Sequence, residues 1–279
     1  MQFLQENLAS LVALFGTTVS FIGLIQSRTW LAGIGALCLA AALIAALYAR
    51  RERMIISSAA ITIDGLSIDA LNIANLRRRV NRSLVIQGAH HQVQINHEDL
   101  SFMWRYTGYC RTDRETAIEF SVDAESAIPF DRLECFGFDL GHDPGKKHPI
   151  RPILVGPDGI SKKLAVPFLE PLTANQSFEV TLECRIPECM KSPEGYYIST
   201  LAFGQDCVRR YTVRLLFVGE HPDWVRVYEC TASGNTTLLR DLQPRRQDRE
   251  RTEYLDAAED VEGQSARIYV FRRDSRQRQ

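Results

Sequence analysis

Hydrophobic positions follow two regimes along the chain. Over residues 8–25 and again over 30–48 they run almost unbroken, whereas from Val80 onward they alternate with polar residues. Each run is as long as a helix rising about 1.5 Å per residue needs to cross a hydrocarbon core of roughly 30 Å. Only Gln26-Ser27-Arg28-Thr29 separates them. The pattern predicts an N-terminal two-helix transmembrane hairpin within residues 1–53. A cleavable leader is a poorer account, because residues 1–7 hold Glu6 and no Lys or Arg, and the second run ends in Arg50-Arg51-Glu52-Arg53. Arginines after the second run outnumber the lone Arg28 of the turn, which predicts cytoplasmic termini. Ala36 and Ala40 recur at the four-residue spacing that lets helix backbones approach, and Thr17 shares a face of the first helix with Ser10. These positions predict assembly of a homo-oligomer in the membrane.

The alternating regime predicts strands at 83–87, 92–96, 101–106, 116–122, 132–140, 151–155, 162–167, 177–185, 196–203, 208–218, 224–231 and 265–272. Pro157-Asp158-Gly159, Ser192-Pro193-Glu194-Gly195 and Gly219-Glu220-His221-Pro222-Asp223 supply the turns. So many short strands without a helical period predict an all-β antiparallel sandwich or barrel over residues 83–279. Two stretches break the pattern. Residues 63–77 repeat Ile-Asp-Gly-Leu-Ser, Ile-Asp-Ala-Leu-Asn, Ile-Ala-Asn-Leu-Arg, a five-residue period resembling pentapeptide-repeat solenoids, but too short to stack as one. Residues 54–82 are therefore expected to be an ordered basic linker. Residues 243–263 are almost wholly polar and are expected to form a mobile loop or frayed helix.

Charge sharpens this only locally. A net charge of -1 excludes a bulk electrostatic drive toward nucleic acid, while Arg50 to Arg53 and Arg77 to Arg82 make the region beside the hairpin basic and suited to anionic headgroups. The 7 cysteines include no C-x-x-C pair, so zinc is not expected, and a cytoplasmic domain keeps its thiols reduced. No Walker A loop, soluble G-x-G-x-x-G, H-E-x-x-H or G-x-S-x-G motif is present, and the histidines lie in polar turns. The sequence therefore predicts no enzyme, no cofactor and no metal.

What remains is anion chemistry. If strands 208–218 and 224–231 pair as a hairpin on their apolar faces, Arg210, Arg214, Arg226 and Tyr228 share the other face. Guanidinium forks beside a ring suit phosphates and bases; the alternative is a solvated strand face.

A short two-helix hairpin followed by a β-rich domain resembles the two-transmembrane β-rich effectors of bacterial anti-phage signalling. The resemblance is one of layout and matches no binding residue individually. It implies a bacterial inner-membrane protein whose cytoplasmic β-domain senses a cyclic nucleotide or oligonucleotide and controls hairpin assembly that permeabilises the membrane. The alternative is a membrane-tethered β-sandwich that scaffolds a protein complex without a small ligand.

Overall fold

The computed structural model describes residues 61–68, 81–123, 128–141, 146–156, 158–203, 207–231 and 235–273. Contacts divide the chain into two compact units, 1–60 and 61–279, and every described residue belongs to the second. In chain order the strands are β1 (Ile61–Ile63), β2 (Leu66–Ile68), β3 (Leu84–Asn96), β4 (Asp99–Cys110), β5 (Glu115–Asp123), β6 (Glu134–Asp139), β7 (Pro149–Ile150), β8 (Ile153–Leu154) and β9 (Ser161–Leu172). They continue with β10 (Ser177–Ile186), β11 (Glu194–Thr200), β12 (Cys207–Val218), β13 (Pro222–Thr231), β14 (Thr236–Leu242), β15 (Pro244–Gln247), β16 (Arg251–Glu262) and β17 (Ser265–Arg273). Among the described residues a single 3-10 turn, Phe130–Arg132, interrupts them.

Eight strands form one sheet in the order β15-β16-β12-β3-β4-β10-β6-β7, facing a four-stranded sheet (β11-β17-β13-β14) and a three-stranded sheet (β5-β9-β8). One continuous apolar core draws on all three: Phe217 meets Phe271 of the four-stranded sheet, and Trp104 meets Phe120 of the three-stranded one. The strand orders are open, so the architecture is a sandwich and not a closed barrel.

The expected fold class needs correction. The described residues are almost entirely strand, and no helix among them is long and apolar enough to cross a membrane. The hairpin expected in 1–53, with Thr17, Ala36 and Ala40, lies outside the described residues.

Two further stretches differ from expectation. Residues 61–68 of the anticipated linker form the β1–β2 hairpin, turning at Asp64 (φ 50°) and Gly65 (φ 84°). Positive φ at both central residues is what an Asp-Gly pair permits in a tight hairpin turn. Its Ile63 and Ile68 are buried on the outer face of the four-stranded sheet, against Ala266, Ile268 and Val270. The polar stretch 243–263 contains β15 and β16, and β16 lies between β12 and β15. Glu253 and Asp256 are buried there because arginines come with them. Asp256, fully buried, accepts hydrogen bonds from Arg267 (2.9 Å) and the Tyr269 hydroxyl (2.7 Å) and also pairs with Arg240.

Cys135 and Cys184 stand directly opposite one another on β6 and β10 and form a disulfide, against the expectation of uniformly reduced thiols. Cys110, Cys189 and Cys230 are buried thiols and Cys207 is an exposed one.

Candidate functional site

The anticipated arginine face depends on β12 and β13 pairing, and they do not. β12 lies between β16 and β3, whereas β13 lies between β17 and β14 in the other sheet. The turn between them is a crossover. Gly219 (φ 72°) packs its backbone against the His97 ring, and buried Glu220 is held by Arg273 at 3.2 Å. Tyr211 and Val213 on β12, and Val225 and Val227 on β13, all point into the shared core. Arg210 and Arg214 therefore face outward on one side of the sandwich, and Arg226 and Tyr228 outward on the other.

Both pairs have local chemistry of their own. Arg214 donates to Glu253 at 2.8 Å, and that bond holds the Glu253 carboxyl below its ordinary range. Arg210 is exposed, opposite Glu259 in the ladder. Beside them His90 is pushed below its usual range by burial first and then by Arg105 and Arg214, so this patch of sheet disfavours an added positive charge. On the far side, Asp64 at the β1–β2 turn accepts from Arg226 (3.2 Å) and from the Tyr228 hydroxyl (2.7 Å). Arg226 also reaches Asp241 (3.3 Å) and stacks 4.7 Å over the Trp224 ring. The hydrogen bond that Arg226 donates to Asp64 raises the Arg226 pKa above its already high value. Guanidinium, phenol and indole thus converge as expected of an anion site, and the anion they hold is a carboxylate of the same chain.

A second place of interest lies where β5 and β11 approach the inner face of the eight-stranded sheet. A cleft of about 440 Å³, part of it open to solvent, is lined by His91, Trp104, Tyr106, Phe120 and Phe203, with Asn81 at its rim. The His91 ring contacts the Tyr197 hydroxyl at 2.8 Å and the Tyr106 hydroxyl at 2.9 Å, and Trp104 donates its indole N–H to Tyr197 at 2.6 Å. Burial pushes His91 down to about 3 and raises Tyr106 and Tyr197. At neutral pH these groups are uncharged and already bonded to one another, so they form a polar core seam without a poised acid, base or nucleophile. Among the described residues no group of three or more His, Cys, Asp or Glu could hold a metal ion.

The third feature is a sheet edge. Exposed edges template pairing with other chains unless they are short, charged, proline-bearing or covered. The eight-stranded sheet ends at β15, with Pro244, Arg245 and Arg246, and at β7, two residues long and including Pro149. The three-stranded sheet ends at two-residue β8 and at β5, where the Asn81 amide caps both the N–H and the C=O of Glu119 at 2.8 Å. β11 is an edge of seven residues too, but it exposes no large hydrophobic side chain. β14 is charged only at Arg240 and Asp241, both held in ion pairs within the chain, and its other five residues carry no charge. It runs for seven residues, Thr236-Thr237-Leu238-Leu239-Arg240-Asp241-Leu242, without Pro or Lys, and Leu238 and Leu239 are 50% and 40% exposed. Its only irregularity is a bulge that leaves Leu239 without a partner on β13.

Sequence reasoning missed this strand. The Ser233-Gly234-Asn235 turn and the β-branched Thr236-Thr237 were available signals, but two adjacent leucines followed by Arg-Asp fit neither a period of two nor one of 3.6.

No protein-family model and no curated protein matches the chain. Among solved structures it is similar to an M1 zinc metallopeptidase from Deinococcus radiodurans, at 12% identity and a TM-score of 0.41, over 68% of this chain and 43% of that one. A mutant of the Deinococcus enzyme bound to a Tyr-Ser-Ala substrate gives 11% identity and a TM-score of 0.41, over 67% and 42%. The chain spans about two fifths of the length of these enzymes. A likeness this distant carries no argument about activity.

Proposed function

We propose that the β-sandwich is a protein-interaction module, a scaffold that recruits an extended strand to the open edge of its four-stranded sheet, without catalysis. The observation behind it is β14, a seven-residue edge with two exposed leucines, where the other sheet edges among the described residues are short, capped, proline-bearing or without an exposed large hydrophobic side chain. An added strand gains main-chain hydrogen bonds along such an edge, and its side chains gain contact with the leucines.

A second reading keeps the nucleotide sensing implied by the resemblance. It is favoured by the Trp224, Arg226 and Tyr228 cluster, where a phosphate could displace Asp64. The hairpin bearing Asp64 is also held by buried Ile63 and Ile68, which makes displacement costly.

The two readings separate in one experiment. Full-length chain, native or Leu238→Lys, is used to capture partners, and the native chain is titrated calorimetrically with cyclic dinucleotides, cyclic trinucleotides and short oligonucleotides. Strand recruitment expects a protein retained by the native chain and lost by Leu238→Lys, with no heat from nucleotides. Nucleotide binding abolished by Arg226→Glu, with capture indifferent to Leu238, would install the second reading instead.

A further inference from the structure

The edge has a sequence that complements itself. We infer that β14 pairs antiparallel with β14 of a second copy about a two-fold axis at Leu238, joining two four-stranded sheets into one of eight strands; the inference rests on the open-edge reading and names its partner.

The argument starts from the faces. Opposite β13, Thr236 lies across from Cys230, Leu238 from Tyr228 and Asp241 from Arg226, while Arg240 and Leu242 lie across from core-facing Val227 and Val225. Thr236, Leu238 and Asp241 therefore occupy the outer face, Thr237, Arg240 and Leu242 the inner face, and Leu239 is the bulge residue between the two registers. A two-fold axis normal to a sheet keeps each residue on its own face, so only residues of one face can stand opposite each other.

Centred on Leu238, with Leu239 bulged in both copies, every pair obeys that rule. Leu238 meets Leu238 of the partner subunit on the outer face. Thr237 meets Arg240 of the partner subunit on the inner face, and Thr236 meets Asp241 of the partner subunit on the outer one. The two half-exposed leucines bury each other, and no like charges are opposed. Centring on Arg240 or on Asp241 would set two guanidiniums or two carboxylates face to face. Next to this edge, β15 presents Pro244, Arg245 and Arg246, which keep the stacked eight-stranded sheet from pairing in the same way. One strand a side is a small interface, so dissociation at roughly micromolar concentration is expected.

The test uses the full-length chain. Light scattering over about 1 to 100 µM, the range such an interface implies, should show a dimer for the native chain and half that mass for Leu238→Lys, with the same melting midpoint for both at dilutions where the native chain too is a monomer. Register is read by cysteine crosslinking in a Cys38→Ser, Cys207→Ser background, which removes the exposed thiol of the described residues and the one cysteine outside them. Leu238→Cys should form an intermolecular disulfide on oxidation, and Asp241→Cys, displaced from the axis, should not. A native chain that stays monomeric overturns the inference, as does a dimer indifferent to Leu238→Lys or equal crosslinking at 238 and 241. A monomer that still captures another protein through Leu238 removes self-pairing and leaves strand recruitment standing. Capture indifferent to Leu238, from a chain that dimerises as described, removes that reading and leaves self-pairing.

Discussion

β14 and β16 are close in sequence and invert the usual relation between polarity and burial. β14 exposes Leu238 and Leu239, whereas β16 buries Thr252, Glu253 and Asp256. The difference lies in position and company. β16 is flanked by β12 and β15 and lies under the four-stranded sheet, where Arg240, Arg267 and Tyr269 converge on Asp256. Among the described strands β14 has a neighbour on one side only. Hydropathy tells what a side chain costs when alone, and a strand is buried or exposed according to whether its polar groups find partners there.

The strongest way to break this comparison is to take the partner away. Asp256→Ala leaves Arg267 buried beside an apolar methyl, and truncating one member of a buried ion pair costs about 3–5 kcal/mol. Urea denaturation of the variant should register that loss. A shift below about 1 kcal/mol would mean that packing, and not charge pairing, keeps β16 inside.

Acid is the next lever, because the core seam is polar but neutral. The folded state holds His91 at about 3 against an ordinary 6.5. Between these values the unfolded chain binds a proton that the folded one refuses, so stability falls as pH falls, by about 1.4 kcal/mol per unit, or roughly 2 kcal/mol by pH 5. His91→Gln should remove that contribution to the slope. Equal unfolding free energies for the native chain at pH 7 and pH 5, or the same loss in His91→Gln, would show that the imidazole is protonated without penalty.

The smallest effect belongs to the edge. Leu239→Thr, at an exposed bulge, should change stability by no more than about 0.5 kcal/mol. A loss several times larger, seen as a lowered melting midpoint, would place Leu239 among buried residues and end the contrast.

The alternation of Tyr211, Val213, Leu215 and Phe217 was legible in the sequence as a core strand, because each of these residues is apolar and each polar neighbour faces out. The two short strands at 83–87 and 92–96 are one strand, β3, carried past Gln87 by a bulge opposite Thr107. Gly219 and Pro222 correctly marked a reversal, but a turn signal does not say whether its strands pair or change sheets, and on that point the arginine site came apart. The carboxylate that holds Arg226 and Tyr228 lies 162 and 164 residues away from them in sequence, beyond what local pattern can reach. Asp64-Gly65 is a hairpin signal that the sequence reading passed over, because it falls inside the coincidental five-residue repeat. β16 was hidden because its buried acids look like solvated ones until the arginines are placed beside them.

One pairing also governs how the molecule comes into being. β3 and β12 form the lone parallel ladder among the described strands, and more than a hundred residues separate the end of one from the start of the other. During synthesis the β3–β4 hairpin leaves the ribosome long before the strand that will cover its flank. At typical translation speeds that flank waits on the order of ten seconds. Closing so long a loop is slow, and the exposed ladder can meet other nascent chains meanwhile. Folding yield should therefore depend on how crowded and how fast synthesis is, more than on the stability of the finished sandwich.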